Sequence, residues 1–134
     1  MTMMFNAEDI AKFREMIQLY ELRYPEVMEH MSDFEIAAVA NGIGPDSWPK
    51  ALRKLATQLF GPYAVIHIPH DIRYEQHIGT REEADRELYD NALKIWRFRW
   101  GIWRWVKLSA WRERLKLYAA YRLLVRFAKK AWEG

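Results

Sequence analysis

The sequence predicts an all-α protein folded as a single helical domain, and three observations support this. Apolar residues recur at alternating spacings of three and four along much of the 134-residue chain, which is the period of one helix face. Proline, glycine and N-cap residues separate these stretches, as is typical of helix ends. Hydrophobic residues make up 51% of the chain, so a domain of this length can bury a substantial core.

The first third of the chain predicts one long helix followed by two short ones. A helix is expected over 7–24, because one apolar stripe runs along it: Ile10, Phe13, Ile17, Tyr20 and Tyr24. Pro25 ends this helix and can open a short one through Met31. Ser32 and Glu35 have the spacing of a capping box, which predicts a helix from Phe34 to about Val39.

The middle of the chain is interrupted more often. The run Asn41-Gly42-Ile43-Gly44-Pro45 predicts a loop, and a helix should follow from near Pro49 to Phe60. Residues 64–68 fit either a strand, by their β-branched side chains, or a helix, by their context. Pro69 either opens a new helix or kinks one that is already formed.

The last third predicts two long helices. Thr80 and Glu83 have the spacing of a second capping box, which predicts the start of a helix. This helix should run past Leu93 and end no later than Trp100, before Gly101. A basic amphipathic C-terminal helix is expected over 109–132. Its apolar face comprises Leu117, Ala120, Tyr121, Leu124, Ala128 and Ala131.

Charge is distributed unevenly along the chain. Residues 1–93 carry nine Lys and Arg against 16 Asp and Glu, whereas residues 94–134 carry 12 against two, together with six of the seven Trp. A basic, aromatic tail favours an anionic partner, such as a phospholipid membrane surface or nucleic acid. The alternative is that the tail packs on the acidic body of the protein itself. Within it, the Trp- and Arg-rich segment 96–105 fits either lipid-surface docking or a buried or homo-oligomeric contact.

Several classes of protein are disfavoured. The chain has no cysteine, which argues against a disulfide-stapled secreted scaffold and against thiolate chemistry. Neither a signal-peptide pattern nor an uncharged apolar run of about 18 residues is present. We therefore expect a soluble protein of a reducing compartment, cytoplasmic or viral, that is at most peripheral at a membrane.

One group of residues suggests hydrolytic chemistry. If His70 and Asp85 lie on two antiparallel helices joined through Gly79, their side chains can face each other. A carboxylate on one imidazole nitrogen leaves the other poised as a general base. Asp71, about 100° round the helix, could hold a hard cation beside the base.

These residues resemble the phospholipase A2 signature. The run His70-Asp71-x-x-Tyr74 followed by Arg81-x-x-x-Asp85 is similar to its histidine-aspartate pair, tyrosine and partner-helix aspartate, and residues 41–45 are similar to the calcium loop of its group XII and bacterial branches. The resemblance covers about residues 38–95, leaving 96–134 as the basic Trp-rich segment. The chain lacks the family's cysteines, and Pro69 stands where the family's helix is uninterrupted.

The resemblance implies a calcium-dependent hydrolase of phospholipid esters. His70 would be the general base and Asp85 its orienting carboxylate, with Tyr74 hydrogen-bonded to Asp85. The implied Ca²⁺ ligands are the carboxylate of Asp71 and main-chain oxygens of three further residues: Ala40, Gly42 and Gly44.

Three alternatives remain open. The chain is also similar to short phage-encoded proteins with a His-Asp-x-x-Tyr helix, which favours a non-enzymatic structural or assembly protein that self-associates. Nucleic-acid binding through the tail is the weaker alternative, because no recognised nucleic-acid module is visible. A zinc site is conceivable because His67, His70 and His77 could share one helix face.

Overall fold

The computed structural model describes residues 5–42, 63–127 and 129–133, and within them it contains helices and no strand. The all-α prediction is therefore confirmed. We number the described α-helices in chain order: α1 Ala7–Tyr20, α2 Asp33–Gly42, α3 His67–Gln76, α4 Arg81–Trp100, α5 Leu108–Phe127 and α6 Lys129–Glu133. The described residues also include 3₁₀-helices at Glu26–His30, Ala64–Ile66 and Gly101–Trp105.

Helix α1 is capped at both ends by local bonds. Asn6 and Asp9 form a reciprocal capping box at its start, with distances of 2.8 and 3.0 Å. The helix ends at Tyr20, short of the predicted 24, because Glu21 adopts a left-handed conformation with φ 54°. The Leu22 amide then donates to the Ile17 carbonyl, and the Leu22 side chain is buried. Burial of this side chain thus stops the helix one turn early.

Helix α2 starts as predicted and ends later than predicted. The Ser32–Glu35 capping box is formed, with both bonds at 3.1 Å. The prediction that the loop begins at Asn41 is wrong, since Asn41 and Gly42 form the last residues of α2. The buried face of Ile36, Ala37 and Ala40 continues the helical period past Val39. The predicted loop residues 43–45 and the predicted helix near 49–60 lie outside the described residues.

Helix α3 accommodates its proline without a break. The ambiguous stretch 64–68 is helical, with the 3₁₀-helix Ala64–Ile66 leading directly into α3. Pro69 is the third residue of α3, within the first turn, where a missing amide hydrogen costs little. The helix ends at Gln76, where His77 takes a left-handed conformation with φ 52°. Four residues, 77–80, connect α3 to α4, so the two pack as antiparallel neighbours.

Helices α4 and α5 form a long antiparallel hairpin whose tip is the 3₁₀-helix Gly101–Trp105. The Trp96 indole donates to the Ala110 carbonyl at 2.7 Å, and further from the tip Arg81 donates to the Val125 carbonyl at 2.8 Å. Between these contacts, Tyr89 stacks on Tyr121. The predicted C-terminal helix over 109–132 corresponds to α5 and α6, with residue 128 outside the described part.

A shared core joins these helices. Its largest fully buried apolar side chains come from α1, α2, α3, α4 and α5 and from the segments before α2 and α3: Ile10, Met28, Ile36, Tyr63, Val65, Ile68, Ile72, Ile95, Trp96 and Leu124. One buried polar side chain ties α4 to the end of α1. The Asn91 amide accepts from the Arg23 amide and donates to the Arg23 carbonyl, both at 2.9 Å. None of the described helices is both long and apolar enough to cross a lipid bilayer.

Replacement of Asn91 by Ala should lower the free energy of unfolding by about 2 kcal/mol, because the Arg23 amide and carbonyl lose a buried partner. Urea unfolding followed by circular dichroism measures this. Arg86→Ala, on the same helix at a side chain that is 71% exposed, is the control and should change stability by less than about 0.5 kcal/mol. Equal effects of the two substitutions would refute the structural role given to Asn91.

Candidate active site

The facing side chains of α3 and α4 bring together the three residues named as catalytic. His70 Nε2 lies 2.9 Å from Asp85 Oδ1, and the Tyr74 hydroxyl donates to the same oxygen at 2.5 Å. All three side chains are buried, and the rings of His70 and Tyr74 lie 4.3 Å apart. Tyr74 follows His70 by one helical turn, so both reach the Asp85 carboxylate from the same side.

The second imidazole nitrogen is left open. His70 Nδ1 is buried and has no hydrogen-bond partner. Asp71 points to a different side of α3, yet its Oδ1 lies 3.7 Å from Nδ1, which is too long for a hydrogen bond. With Nε2–H donating to Asp85, Nδ1 is the nitrogen with a free lone pair. The imidazole is therefore oriented through one nitrogen, and the other keeps the lone pair that a general base requires.

The Asp85 carboxylate has a further neighbour that the sequence did not assign a role. Arg81 Nη1 lies 3.7 Å from Asp85 Oδ2, an oxygen that is buried and has no hydrogen bond. The same guanidinium is held by its bond to the Val125 carbonyl on α5. The i,i+4 spacing of Arg81 and Asp85 was the available signal. Arg81 thus places a fixed positive charge beside the orienting carboxylate.

Three more contacts around the site were not predicted from the sequence. Arg73 and Glu87 form a bidentate ion pair, with both distances 2.9 Å, that links α3 to α4 beside the dyad. Trp132 packs edge-on against Tyr74, with centroids 5.1 Å apart, and His77 Nε2 lies 2.6 Å from the Trp132 carbonyl oxygen. Helix α6 therefore covers the outer side of Tyr74. No sequence signal connects Trp132 to residues more than 50 positions away.

Burial and charge act in opposite directions on the ionisable groups of the site. Burial lowers the pKa of His70, but the carboxylates of Asp85 and Asp71 outweigh it, so the pKa is raised above its ordinary 6.5. Burial raises the pKa of the Asp71 carboxyl despite the nearby His70. Burial and the hydrogen bond to Asp85 also raise the pKa of the Tyr74 hydroxyl. Burial, with the charge of His70, lowers the pKa of His67 to about 4.

The residues implied as calcium ligands are only partly described. Asp71 is 9% exposed and burial raises the pKa of its carboxyl, so the charged form would be stabilised by a cation. Ala40 and Gly42 lie in the last turn of α2, where carbonyl oxygens lack intrahelical partners. Helix α2 packs against α3. These oxygens suit a hard cation. Gly44 lies outside the described residues.

The arrangement of the histidines does not support a zinc site. His70 is engaged by Asp85, and His77 faces the Trp132 carbonyl. Across residues 5–42, 63–127 and 129–133, the only three ligand atoms close enough to hold a metal come from Glu26, Glu29 and His30, all exposed. Exposed acidic groups of this kind are common without a metal, and this group is far from the dyad in sequence.

The His70 pairing should make stability depend on pH. A raised folded-state pKa contributes stability that is fully present below pH 6.5 and is lost as the pH rises through the folded-state value. His70→Gln removes this contribution, so the variant should lose less stability than the parent between pH 6 and pH 9. Urea unfolding at several pH values measures the difference, and identical slopes for both proteins would contradict it.

No protein family, curated protein or solved structure matches this chain. The phospholipase A2 resemblance therefore stays a prediction from the residues quoted above.

Proposed function

We propose that this protein is a calcium-dependent ester hydrolase of the phospholipase A2 type, acting on phospholipid. One observation carries the proposal. Asp85 holds His70 through Nε2 and accepts from Tyr74 as well, while His70 Nδ1 keeps a free lone pair beside the Asp71 carboxylate. A buried histidine that served only to pack would gain stability by satisfying both nitrogens.

The proposed chemistry uses His70 as the base. Nδ1 takes a proton from a water molecule as the water oxygen attacks the ester carbonyl carbon. The imidazolium that forms is stabilised by Asp85 through the hydrogen bond at Nε2. The Tyr74 hydroxyl holds that carboxylate in position by donating a hydrogen bond to it. The proton then passes from Nδ1 to the leaving alcohol. Because only neutral imidazole accepts a proton, the rate should increase as the pH rises through the raised pKa of His70.

A bound Ca²⁺ would polarise the ester carbonyl and stabilise the oxyanion. The residues that would hold it are Asp71, Ala40 and Gly42 from the described part of the chain, with Gly44. The buried Asp71 carboxylate beside Nδ1 supports this assignment, because a cation there compensates its charge.

Access to the base sets a further requirement. His70 is 3% exposed and Nδ1 has no contact with solvent in this conformation. Hydrolysis therefore needs a second conformation in which Nδ1 opens to water and substrate. The burial of His70 also favours a second candidate function. In this alternative the protein is a non-enzymatic structural or assembly protein, and the dyad only holds α3 against α4. The experiments below separate the two.

His70→Asn should reduce the hydrolysis of phosphatidylglycerol vesicles by at least about 10³-fold, because it removes the base. The assay is release of free fatty acid in the presence of millimolar Ca²⁺. His77→Asn is the matched control. The His77 side chain is exposed, and asparagine tolerates the left-handed backbone conformation at this position, so turnover should persist. Circular dichroism establishes that both variants fold. Undiminished turnover by His70→Asn, or none by the parent protein, would exclude the hydrolase.

Calorimetric titration of Ca²⁺ should give saturable binding that Asp71→Asn abolishes, because the substitution removes the only carboxylate among the proposed ligands. Asp90→Asn, on α4 at a side chain that is 34% exposed, controls for loss of an acidic charge. The titration is repeated with phosphatidylglycerol vesicles present, since lipid can complete a weak site. Absence of binding at millimolar Ca²⁺ in both settings would favour the non-enzymatic scaffold.

A further inference from the structure

The tip of the α4–α5 hairpin exposes large apolar side chains. We define the tip as Ile102, Trp103, Trp105 and Val106, whose exposed fractions are 77%, 58%, 66% and 70%. Three of them lie in the 3₁₀-helix Gly101–Trp105, and Val106 is the residue after it. This 3₁₀-helix contains no buried residue. An exposed apolar cluster of this kind is characteristic of an interaction site rather than of free surface.

Helix α5 extends this apolar surface along the hairpin. Its stripe of Leu108, Trp111, Leu115 and Tyr118 recurs at spacings of three and four, and these side chains are between 36% and 67% exposed. The buried face of α5 comprises Ala110, Leu117 and Leu124 and lies more than 90° away round the helix. Helix α5 therefore has two apolar faces, and only one of them is covered by the described residues.

Positive charge surrounds the tip and the stripe. Residues 97–118 contain seven Lys and Arg and one acidic residue, Glu113. Glu113 is occupied, since it accepts from the Arg99 guanidinium at 3.0 Å and from the Trp100 indole at 2.6 Å. The Arg104 guanidinium lies 5.1 Å from the Trp105 ring and the Lys107 ammonium 5.7 Å from the Trp103 ring. Cations thus sit directly beside the exposed indoles.

We propose that the tip and the stripe together form a docking surface for an anionic lipid bilayer, with the hairpin lying flat on it. Exposed indoles partition to the level of the lipid headgroups, and the aliphatic side chains enter the hydrocarbon boundary. The surrounding Arg and Lys pair with lipid phosphates and attract the protein to an anionic surface. Anionic lipid is the partner that satisfies both the apolar and the cationic groups.

Two other partners fit the same surface less well. Nucleic acid would engage the cations and the rings, but it leaves the aliphatic side chains Ile102, Val106, Leu108 and Leu115 in water, because aliphatic groups do not stack on bases. A second copy that pairs through the same surface would cover the apolar groups, but it brings two strongly basic surfaces together, which is repulsive.

The tip of the docking surface is distant from the dyad along α4. Trp100 follows Asp85 by fifteen helical positions, so the tip is about 22 Å from the dyad along α4. The stripe runs back from the tip toward the level of Tyr89, whose ring lies 6.0 Å from that of Tyr118. The inference concerns binding alone, and it stands whether or not the dyad hydrolyses esters.

Co-sedimentation with vesicles tests the surface. The parent protein should bind vesicles of phosphatidylcholine with 30% phosphatidylglycerol, and Trp103→Ala/Trp105→Ala should weaken binding by at least roughly 10-fold. Leu108→Ser/Leu115→Ser should weaken it as well, since flat docking uses the stripe. Leu19→Ala/Phe34→Ala is the matched control, because it removes two side chains that are 62% and 78% exposed on α1 and α2. Pure phosphatidylcholine vesicles should bind at least about 10-fold less protein.

Several results would overturn the proposal. These are no binding to the anionic vesicles in 0.1 M salt, an equal loss of binding in the control variant, or no effect of the stripe variant. Tighter binding to a single-stranded oligonucleotide, lost in the tip variant, would assign the surface to nucleic acid. A dimer in light scattering that the tip variant dissociates would assign it to self-association. Far-UV circular dichroism confirms that each variant keeps the parental helix content.

Discussion

Much of this structure depends on the burial of one carboxylate. Asp85 is 1% exposed, and a charged group at such a position is tolerated only when donors and positive charge surround it. Three side chains supply them: His70 and Tyr74 from α3 and Arg81 from the first turn of α4. Meeting this requirement fixes the spacing and rotation of α3 against α4. The oriented imidazole is thus a by-product of satisfying a buried charge.

Helix α4 transmits this constraint to the rest of the protein. Its side chains contact α3 through Asp85 and Glu87, the end of α1 through Asn91, and α5 through Trp96. Helices α1, α3 and α5 are therefore placed relative to α4. The apolar core fills the space between these polar contacts, and the contacts choose one arrangement among the many that an apolar core allows. The proposed base on α3 and the proposed docking surface on the tip and α5 are consequently connected through α4.

Sequence reasoning succeeded where the deciding interactions are local. The capping box at Ser32 and the end of α4 at Gly101 depend on residues within one turn, and both were predicted correctly. The pairing of His70 with Asp85 was accessible because a four-residue connection forces α3 and α4 together. The early end of α1 was not accessible, since it depends on where Leu22 is buried. Likewise, Trp132 meets Tyr74 only through the complete fold.

The series of contacts along the α4–α5 hairpin, from Trp96 near the tip to Arg81 at the far end, also has a consequence for folding. Its contacts join residues 14 apart near the tip and 44 apart at Arg81 and Val125, whereas Asn91 meets Arg23 across 68 positions. Each successive contact closes only a slightly larger loop, so the entropy of closure accumulates in small increments. The hairpin can therefore form from its tip as a zipper. Helix α3 can join early, because His70 and Asp85 are only 15 positions apart, and α1 docks later across 68 positions. The dyad closes a loop about as short as the one at the tip, so it can assemble before α1 docks.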